Sequence, residues 1–551
     1  MIFSSLWVKS ITIEGDSSVS EKELRAAMIL KEPWLFGKSK FFPEILNGDI
    51  DAIKTVYLKH GFLNPEISSE YDIDSTGPVN IRLSVIEGRQ TCVGSLGFIG
   101  NNIFKDEELV SFITTKDGLP FNPLALEDDY LTIINRYDDL GYHDIMVTSS
   151  VSISDSAIIE YRITEGDRVF ISDVAVEPSK PMNEKRLKSA IGLKAGELLT
   201  TKKVIGARRR LYDLNIFSRV RVKEESLPNG RRLRFKLEAK RPLDLGARIG
   251  YSTLDGPKTR LSCEHRNLFR SLRRIGIISK FSFNEIGFEV NYRDPITSGN
   301  WLEHGIGFRI AERQEIGYQI DRLGGYGILI PEPFSIRYDL ERIRISNVEI
   351  DTLVMSGTEW LRTLAIGFNI DTRNNLIRPT RGLLFSDRLR LSGILPEATS
   401  NFIQDELLFR LFIPWRNTVI GVRSDLGLAR PISPSTEIPI HSRFFLGGAT
   451  TIRGYGERMI GPKDSEDNPL GGERYILFSL EERIPIFWQF AGVSFIDCGS
   501  LEPKLYDKNL SFKVGIGFGL RLYTPLGPIR LDYGRNLDGS GAFHFAIGEA
   551  F

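Results

Sequence analysis

The second half of the chain reads as a long series of short β-strands. From residue 242 onward, apolar and polar residues alternate in short segments separated by Gly, Asn, Asp and Pro, and the helical period of the first half disappears. Successive side chains of a strand point to opposite faces, so each segment has one apolar face. In Leu383–Leu391, for example, the odd positions are apolar except Asp387. About 310 residues at about 19 per strand and turn predict roughly 16 antiparallel strands.

The last strand carries the strongest single signal. Its apolar positions Phe543, Phe545, Ile547 and Phe551 alternate with small or polar residues, apart from Glu549, and the sequence stops on an aromatic residue. This pattern is typical of the lipid-facing final strand of a transmembrane β-barrel. An edge strand of a soluble sheet, or a β-sandwich, alternates in the same way. The unbroken run of strands favours the barrel.

The first 240 residues contain an internal repeat with a period of about 75 to 85 residues. Each unit reads β-α-α-β-β, and Gly61 and Gly141 stand where a left-handed residue commonly ends a helix. The repeat is marked by three aromatic patterns, Tyr57-Gly61-Phe62, Tyr137-Gly141-Tyr142 and Tyr212-Ile216-Phe217. We therefore predict three α+β modules, at 1–89, 90–167 and 168–241, followed by an all-β barrel at 242–551.

An array of small modules with exposed edge strands has two readings. An edge can accept an extended client as an additional strand, with affinity coming from backbone hydrogen bonds. The same array can also be a rigid spacer. The sequence leaves both open.

Composition excludes several classes of function. Lys+Arg and Asp+Glu both number 71, so there is no basic excess for nucleic acid. The three cysteines and six histidines are scattered, without metal-ligand spacing. The acidic stretch 464–468 favours a solvated loop over a calcium site, and the glycines of 515–519 lack the following helix of a dinucleotide loop. With no nucleophile–base constellation in view, we expect no enzyme activity, metal or cofactor.

Targeting signals are weak. The segment from Met1 to Trp7 lacks the positive and apolar regions of a signal peptide. No apolar run approaches the ~20 residues of a membrane helix. Two readings follow, a cytoplasmic protein or a protein whose signal peptide was removed, and the predicted barrel favours removal.

Several motifs together resemble one superfamily, the outer-membrane insertases and translocases with N-terminal POTRA modules and a C-terminal 16-stranded barrel. The most specific is Gly447-Gly448-Ala449-Thr450-Thr451-Ile452-Arg453-Gly454-Tyr455, similar to the family's (V/I)RG(F/Y) loop tip. Weaker matches are Asp371 with Pro379-Thr380-Arg381-Gly382, then Ser479–Pro485, Phe495–Gly499 and Pro525–Arg530. These motifs occur in this order within the predicted barrel. The resemblance as a whole covers essentially the entire chain.

The resemblance implies a site inside the barrel. The loop that carries Arg453 is expected to fold into the lumen, where Arg453 meets Glu481 and Asp497 on the wall. A buried arginine is costly to leave unpaired, and its planar fork suits carboxylates. Gly454 allows close backbone approach, and Tyr455 is expected to pack against the wall.

The resemblance also implies a mechanism. The barrel closes between its first and last strands, and a weak seam opens sideways so that a client hairpin pairs with the exposed edge, without ATP. The seam residues are Gly246, Ile249, Gly250, Phe545, Gly548 and Phe551. Two alternatives remain: a two-partner-type secretion pore that passes a dedicated substrate through the lumen, and an organellar import channel.

Partners and location follow from the same resemblance. We expect a bacterial outer-membrane protein with periplasmic modules, in contact with lipid and with unfolded β-barrel or autotransporter clients. Three modules are most similar to TamA, the translocation and assembly module subunit, which implies a periplasm-spanning, inner-membrane-anchored TamB-like partner. No nucleic-acid partner is expected.

Overall fold

The computed structural model describes residues 6–15, 18–33, 39–74, 77–296, 302–350, 357–393, 400–524 and 527–547. Contacts group these residues into two compact units. The first lies within residues 1–175, 193–206 and 222–234, and the second within 176–192, 207–221 and 235–551. No helix in the described ranges is long and apolar enough to cross a membrane.

The first two modules, both in the first unit, share one topology. The first strand runs parallel to the third, which pairs with the second antiparallel. The first module contains β1 (Trp7–Gly15), α1 (Glu21–Ala27), α2 (Pro43–Lys59), β2 (Glu66–Ile73) and β3 (Pro78–Ile86). The second contains β4 (Val93–Ile99), α3 (Asp106–Phe112), α4 (Ala125–Asp139), β5 (Met146–Ile153) and β6 (Ala157–Thr164).

A third set of elements repeats the order. It consists of β7 (Ile171–Pro178), α5 (Glu184–Ile191), α6 (Thr201–Asp213), β8 (Phe217–Leu227) and β9 (Gly230–Ala239), with sheet order β7-β9-β8. The β-α-α-β-β repeat predicted from the sequence is confirmed. The exact module boundaries stay a prediction.

The glycines that mark the repeat end helices as expected. Gly61 and Gly141 have φ of 84° and 91°, the left-handed region that favours glycine. Tyr57 and Tyr137, one turn earlier, are fully buried in the module cores. A Cβ on Gly61 would lie 2.5 Å from the carbonyl oxygen of Thr91, so a close approach adds to the conformational requirement.

A buried carboxylate in the second helix supports each of the first two modules. Asp49 accepts backbone N–H bonds from Ile29 and Leu30, the latter at 2.9 Å. Asp129 does the same for Thr114 and Thr115, at 2.7 and 3.1 Å. These bonds satisfy backbone donors in the segment that follows the first helix of each module.

The second unit contains one antiparallel sheet of 16 strands that forms a nearly closed barrel, in agreement with the predicted fold class. The strands are β10 (Leu243–Ser252), β11 (Gly256–Leu268), β12 (Arg273–Phe281), β13 (Glu285–Asp294), β14 (Glu303–Glu315), β15 (Tyr318–Ile330), β16 (Phe334–Ser346), β17 (Gly357–Asp371), β18 (Gly382–Ser392), β19 (Phe402–Trp415), β20 (Thr418–Pro431), β21 (Arg474–Phe487), β22 (Phe490–Glu502), β23 (Lys513–Thr524), β24 (Gly527–Asn536) and β25 (Gly541–Ile547).

The two faces of the barrel differ as the alternation predicts. Exposed apolar residues such as Ile306, Phe308 and Ile310 occupy the outer face, while charged residues gather inside. Asp387 is an outer-face exception, and the β18–β19 register, which pairs Asp405 with Leu389, puts Asp405 on the same face at the position diagonal to Asp387.

Candidate functional site

A long connection between β20 and β21, residues 432–473, folds into the barrel lumen, and we call it the lumen loop. It contains one short 3₁₀ turn, Ile440–Ser442. Its apolar residues Leu446, Ile452 and Ile460 are buried in a cluster with inner-face residues such as Leu477. The apolar cluster therefore fixes the loop's body, which leaves the polar tip to be held by specific contacts.

Arg453 at the tip is held by two carboxylates. Its Nε and Nη2 donate to the two oxygens of Asp497 at 2.8 and 2.9 Å, and its Nη1 donates to Glu481 at 2.8 Å. The backbone N–H of Arg453 also donates to Asp497, at 3.0 Å. The guanidinium carbon lies 3.4 Å from the ring centre of Phe495, which adds a cation–π contact. The structure thus brings together the three charged residues that the resemblance implied.

The carboxylates around Arg453 belong to a larger buried network. Glu481 also accepts from Arg483 at 2.9 Å and from Arg521 at 3.4 Å. Asp532 pairs with Arg521 and lies 3.8 Å from the Nη1 of Arg453. All these side chains are nearly inaccessible to solvent. Removing one member would leave the others as uncompensated buried charges.

Glycines let the loop backbone lie directly on the wall. Gly454 has a φ of 97°, and a Cβ there would lie 3.0 Å from the backbone carbon of Gly534. A Cβ on Gly534 would in turn lie 2.5 Å from the nitrogen of Gly454. Backbone meets backbone at this point, so neither side has room for a methyl group.

The loop tip is bonded to the last two strands. The N–H of Gly454 donates to His544 Nε2 on β25 at 3.2 Å. The side-chain amide of Asn536, at the end of β24, donates to the carbonyl of Gly454, also at 3.2 Å. His544 is buried, at 3% exposure. No local pattern in the sequence singles out either residue beyond their place in the last strands.

The same loop segment is bonded to the first hairpin. Thr253, in the turn between β10 and β11, donates from Oγ1 to Glu457 at 2.7 Å. The same Glu457 oxygen accepts the N–H of Ala449 at 2.9 Å, which fixes the carboxylate. We call these bonds, together with those of Gly454 to His544 and Asn536, the seam contacts, because they connect one loop to both edges of the sheet.

The predicted seam residues lie at those edges. Strands β10 and β25 are the two ends of the sheet, and within the described residues they share no backbone ladder. Gly246, Ile249 and Gly250 lie on β10 and Phe545 lies on β25. Gly548 and Phe551 lie outside the described residues. Across the seam, the rings of Tyr251 and Phe545 are 5.1 Å apart between centroids.

Tyr455 is the remaining predicted site residue. It is partly buried and packs against the apolar cluster that contains Ile452. That cluster contains residues of the lumen loop and residues of the barrel wall.

Comparison with known proteins agrees with this architecture. An Omp85 superfamily domain matches residues 194–551, and a POTRA domain, described as a surface antigen variable number repeat, matches 7–88 and 92–166. The chain is 25% identical to outer membrane protein assembly factor BamA of Nitratidesulfovibrio vulgaris, over 100% of this chain and 74% of that protein. It is 21% identical to BamA of Neorickettsia risticii, over 97% and 76%.

A solved structure shows the same fold. The crystal structure of BamA from Haemophilus ducreyi lacking POTRA domains 1-3 superposes with a TM-score of 0.66 at 18% identity, covering 83% of this chain and 99% of that one. The Omp85 domain alone accounts for more than half of the sequence. The chain belongs to the Omp85 superfamily.

Proposed function

We propose that this protein is an outer-membrane assembly factor that inserts β-barrel clients through the seam between β10 and β25. The observation that carries the proposal is the missing ladder between these strands within the described residues. The two relatives that match nearly the whole of this chain are named outer membrane protein assembly factors, which supports an assembly role for this protein. An N-terminal array of POTRA modules would hold partner or client strands on its sheet edges.

Strand exchange at the seam needs no nucleotide. Each unsatisfied backbone group costs several kcal/mol in lipid, so an open edge favours pairing with any available strand. A client hairpin that pairs with β10 supplies the missing hydrogen bonds. Burial of the client's apolar face in the bilayer then makes the overall insertion favourable. The protein acts as a template, and we propose no bond-making chemistry and no catalytic residue.

The seam contacts would keep the resting barrel closed. Glu457 connects to the first hairpin through Thr253, and Gly454 connects to β25 through His544. Because Arg453 anchors this part of the loop in the buried network, the two edges share one fixed support. Opening the seam then requires at least one of these bonds to break, at a net cost of about 0.5–1.5 kcal/mol for the bond from Gly454 to His544 and about 1.5–3 kcal/mol for the bond from Thr253 to the Glu457 carboxylate.

The proposed surroundings are the bacterial outer membrane for the barrel and the periplasm for the modules. Clients would be unfolded β-barrel or autotransporter chains. A TamA-like role with a TamB-like partner rests on the count of three modules alone. The chain spans 74% of the Nitratidesulfovibrio relative.

Client insertion into liposomes tests the function. The purified full-length protein should accelerate insertion of an unfolded β-barrel client, and Arg453→Ala, still folded by circular dichroism, should lose this acceleration. If neither protein accelerates insertion, and Arg453→Ala instead raises ion conductance, the secretion-pore alternative is favoured.

The seam contacts can be tested separately through paired substitutions. His544→Leu removes the acceptor for Gly454, while His544→Gln retains one; Thr253→Val removes the hydroxyl, while Thr253→Ser retains it. Spin labels at positions 247 and 543, on the two edge strands, report the seam width. We expect longer distances for the Leu and Val variants and wild-type distances for Gln and Ser. Identical distances in all four variants would refute the role of these contacts.

A further inference from the structure

A cavity on the inner face of the barrel lies apart from the Arg453 network. It has a volume of about 480 Å³ and is bounded by strands β14 to β19 and by the 3₁₀ turn of the lumen loop. Five arginines line it, against two carboxylates, Asp339 and Glu341. The wall therefore carries an excess of positive charge.

The two carboxylates already form ion pairs with two of the arginines. Arg337 donates to Asp339 at 2.6 and 2.8 Å, and Arg309 pairs with Glu341. Of the other three, Arg390 donates a hydrogen bond to the Gln404 amide oxygen at 3.2 Å, its only one to the described residues. Arg322 and Arg388 have no hydrogen bond or ion pair within the described part of the chain.

Neighbouring carboxylates form no ion pair with these three arginines within the described residues. Glu406, opposite Arg388 in the β18–β19 register, accepts the Tyr475 hydroxyl at 3.1 Å and forms no ion pair with Arg388. Glu359 accepts the Ser400 hydroxyl at 2.7 Å. Three guanidinium groups thus face one cavity without a carboxylate partner among the described residues.

A buried histidine adds a second, independent indication. The side chain of His441 lines the cavity and is only 2% exposed, yet neither ring nitrogen makes a hydrogen bond to any residue that the structure describes. Its Nε2 lies 3.4 Å from the Glu359 carboxylate, without hydrogen-bond geometry. Buried polar nitrogens are normally satisfied, so a missing partner points to a ligand.

We propose that this cavity binds an oxyanion of the phosphate class. Such a group offers several oxygens to several donors at once, and planar guanidinium forks match its geometry. The hydroxyls of Ser335, Thr363 and Ser392 on the same wall can complete the shell. The cavity is lined from inside the barrel, so the ligand enters from the lumen, either as a soluble phosphate or as a lipid phosphate that has entered the lumen.

Calorimetric titration with pyrophosphate tests the proposal. The full chain in nanodiscs of zwitterionic lipid, at fixed ionic strength, should bind pyrophosphate saturably. The double variant Arg388→Gln/Arg390→Gln should bind at least about tenfold more weakly, as expected for the loss of charged hydrogen bonds. Arg260→Gln, on β11 and outside the cavity, is the matched control and should leave the affinity unchanged.

Two results would overturn the site: no saturable heat with wild type, or equal weakening by Arg260→Gln and by the double variant. Nanodiscs that contain anionic phospholipid separate the two sources of phosphate. Weaker apparent pyrophosphate binding there, for wild type only, identifies lipid phosphate as a competitor for the same cavity. Unchanged binding identifies a soluble ligand.

Discussion

Adding one methyl group at Gly534 should displace the lumen loop without removing any charge. A Cβ there would lie 2.5 Å from the nitrogen of Gly454, and 2.7 and 3.0 Å from the carbonyl carbon and oxygen of Arg453. All three are backbone atoms, so no side-chain rotation can relieve the overlap. The backbone of Gly534 is not in the left-handed region, so alanine itself is not strained.

The size of the effect follows from the contacts that must shift. Overpacking of this kind costs about 1–3 kcal/mol. The displaced backbone also loses the hydrogen bond from Gly454 to His544, at 3.2 Å, which contributes about 0.5–1.5 kcal/mol. Together these costs amount to a destabilisation of about 1.5–4.5 kcal/mol, which raises the population of the released loop roughly 10- to 2,000-fold.

Hydrogen exchange of the peptides covering residues 446–460 measures this population. Gly534→Ala should exchange much faster than wild type in these peptides, with the other strands unchanged. Gly327→Ala in β15 is the matched control, because a Cβ there meets no atom within 4 Å. Wild-type protection in Gly534→Ala would refute the packing argument, and equal loss in both variants would mean that any barrel alanine disturbs the loop.

Three further predictions concern the charged groups. Arg453→Ala should destabilise the loop by about 3–5 kcal/mol, since it leaves buried carboxylates unpaired, and Arg453→Lys should cost less; hydrogen exchange orders the two. Asp129→Asn should lower the urea midpoint of the second module, because an amide offers one acceptor oxygen where the carboxylate offers two to Thr114 and Thr115; Asp128→Asn, a neighbour on the same helix, is the control. Hydrogen bonds to the carboxylate of Glu224 and, as a smaller contribution, to that of Asp138 raise the pKa of the His143 ring to about 9. This is above the value of about 6.5 for an unfolded chain, so the stabilisation is complete below about pH 6.5 and is lost as the pH rises through about 9; NMR titration of the ring checks the midpoint, and His143→Gln should remove this part of the pH dependence.

The barrel could be predicted from the sequence because the signals for its strands and turns lie within short segments of the chain. Alternation with period two and closely spaced turns identify the strands one by one. The length of the region then predicts about sixteen strands, which is the number in the sheet. The module repeat was equally accessible, since Gly61 and Gly141 mark the ends of equivalent helices. Asp387 interrupts the apolar face of its strand, and this can be seen in the sequence. That Asp405 lies on the same face near Asp387 follows only from the strand register.

The candidate site could be predicted only in part because its contacts are long-range. Composition and spacing do not reveal that Arg453 meets residues 28 and 44 positions away; that expectation came from the resemblance. His544 and Thr253 lie 90 and 204 positions from their partners, and no local pattern indicates such pairs. The burial of Asp49 and Asp129 could not be predicted from the sequence, because acidic residues in a helix normally indicate a solvent-exposed face.

Locking the seam tests the central claim most directly. Cysteines at Tyr251 and Phe545, whose rings are 5.1 Å apart, can be joined by a short reversible thiol crosslinker after Cys92, Cys263 and Cys498 are replaced by serine. We predict that the crosslinked protein no longer accelerates client insertion into liposomes and that cleavage of the crosslink restores the rate. Undiminished insertion with the seam locked would contradict lateral opening between β10 and β25.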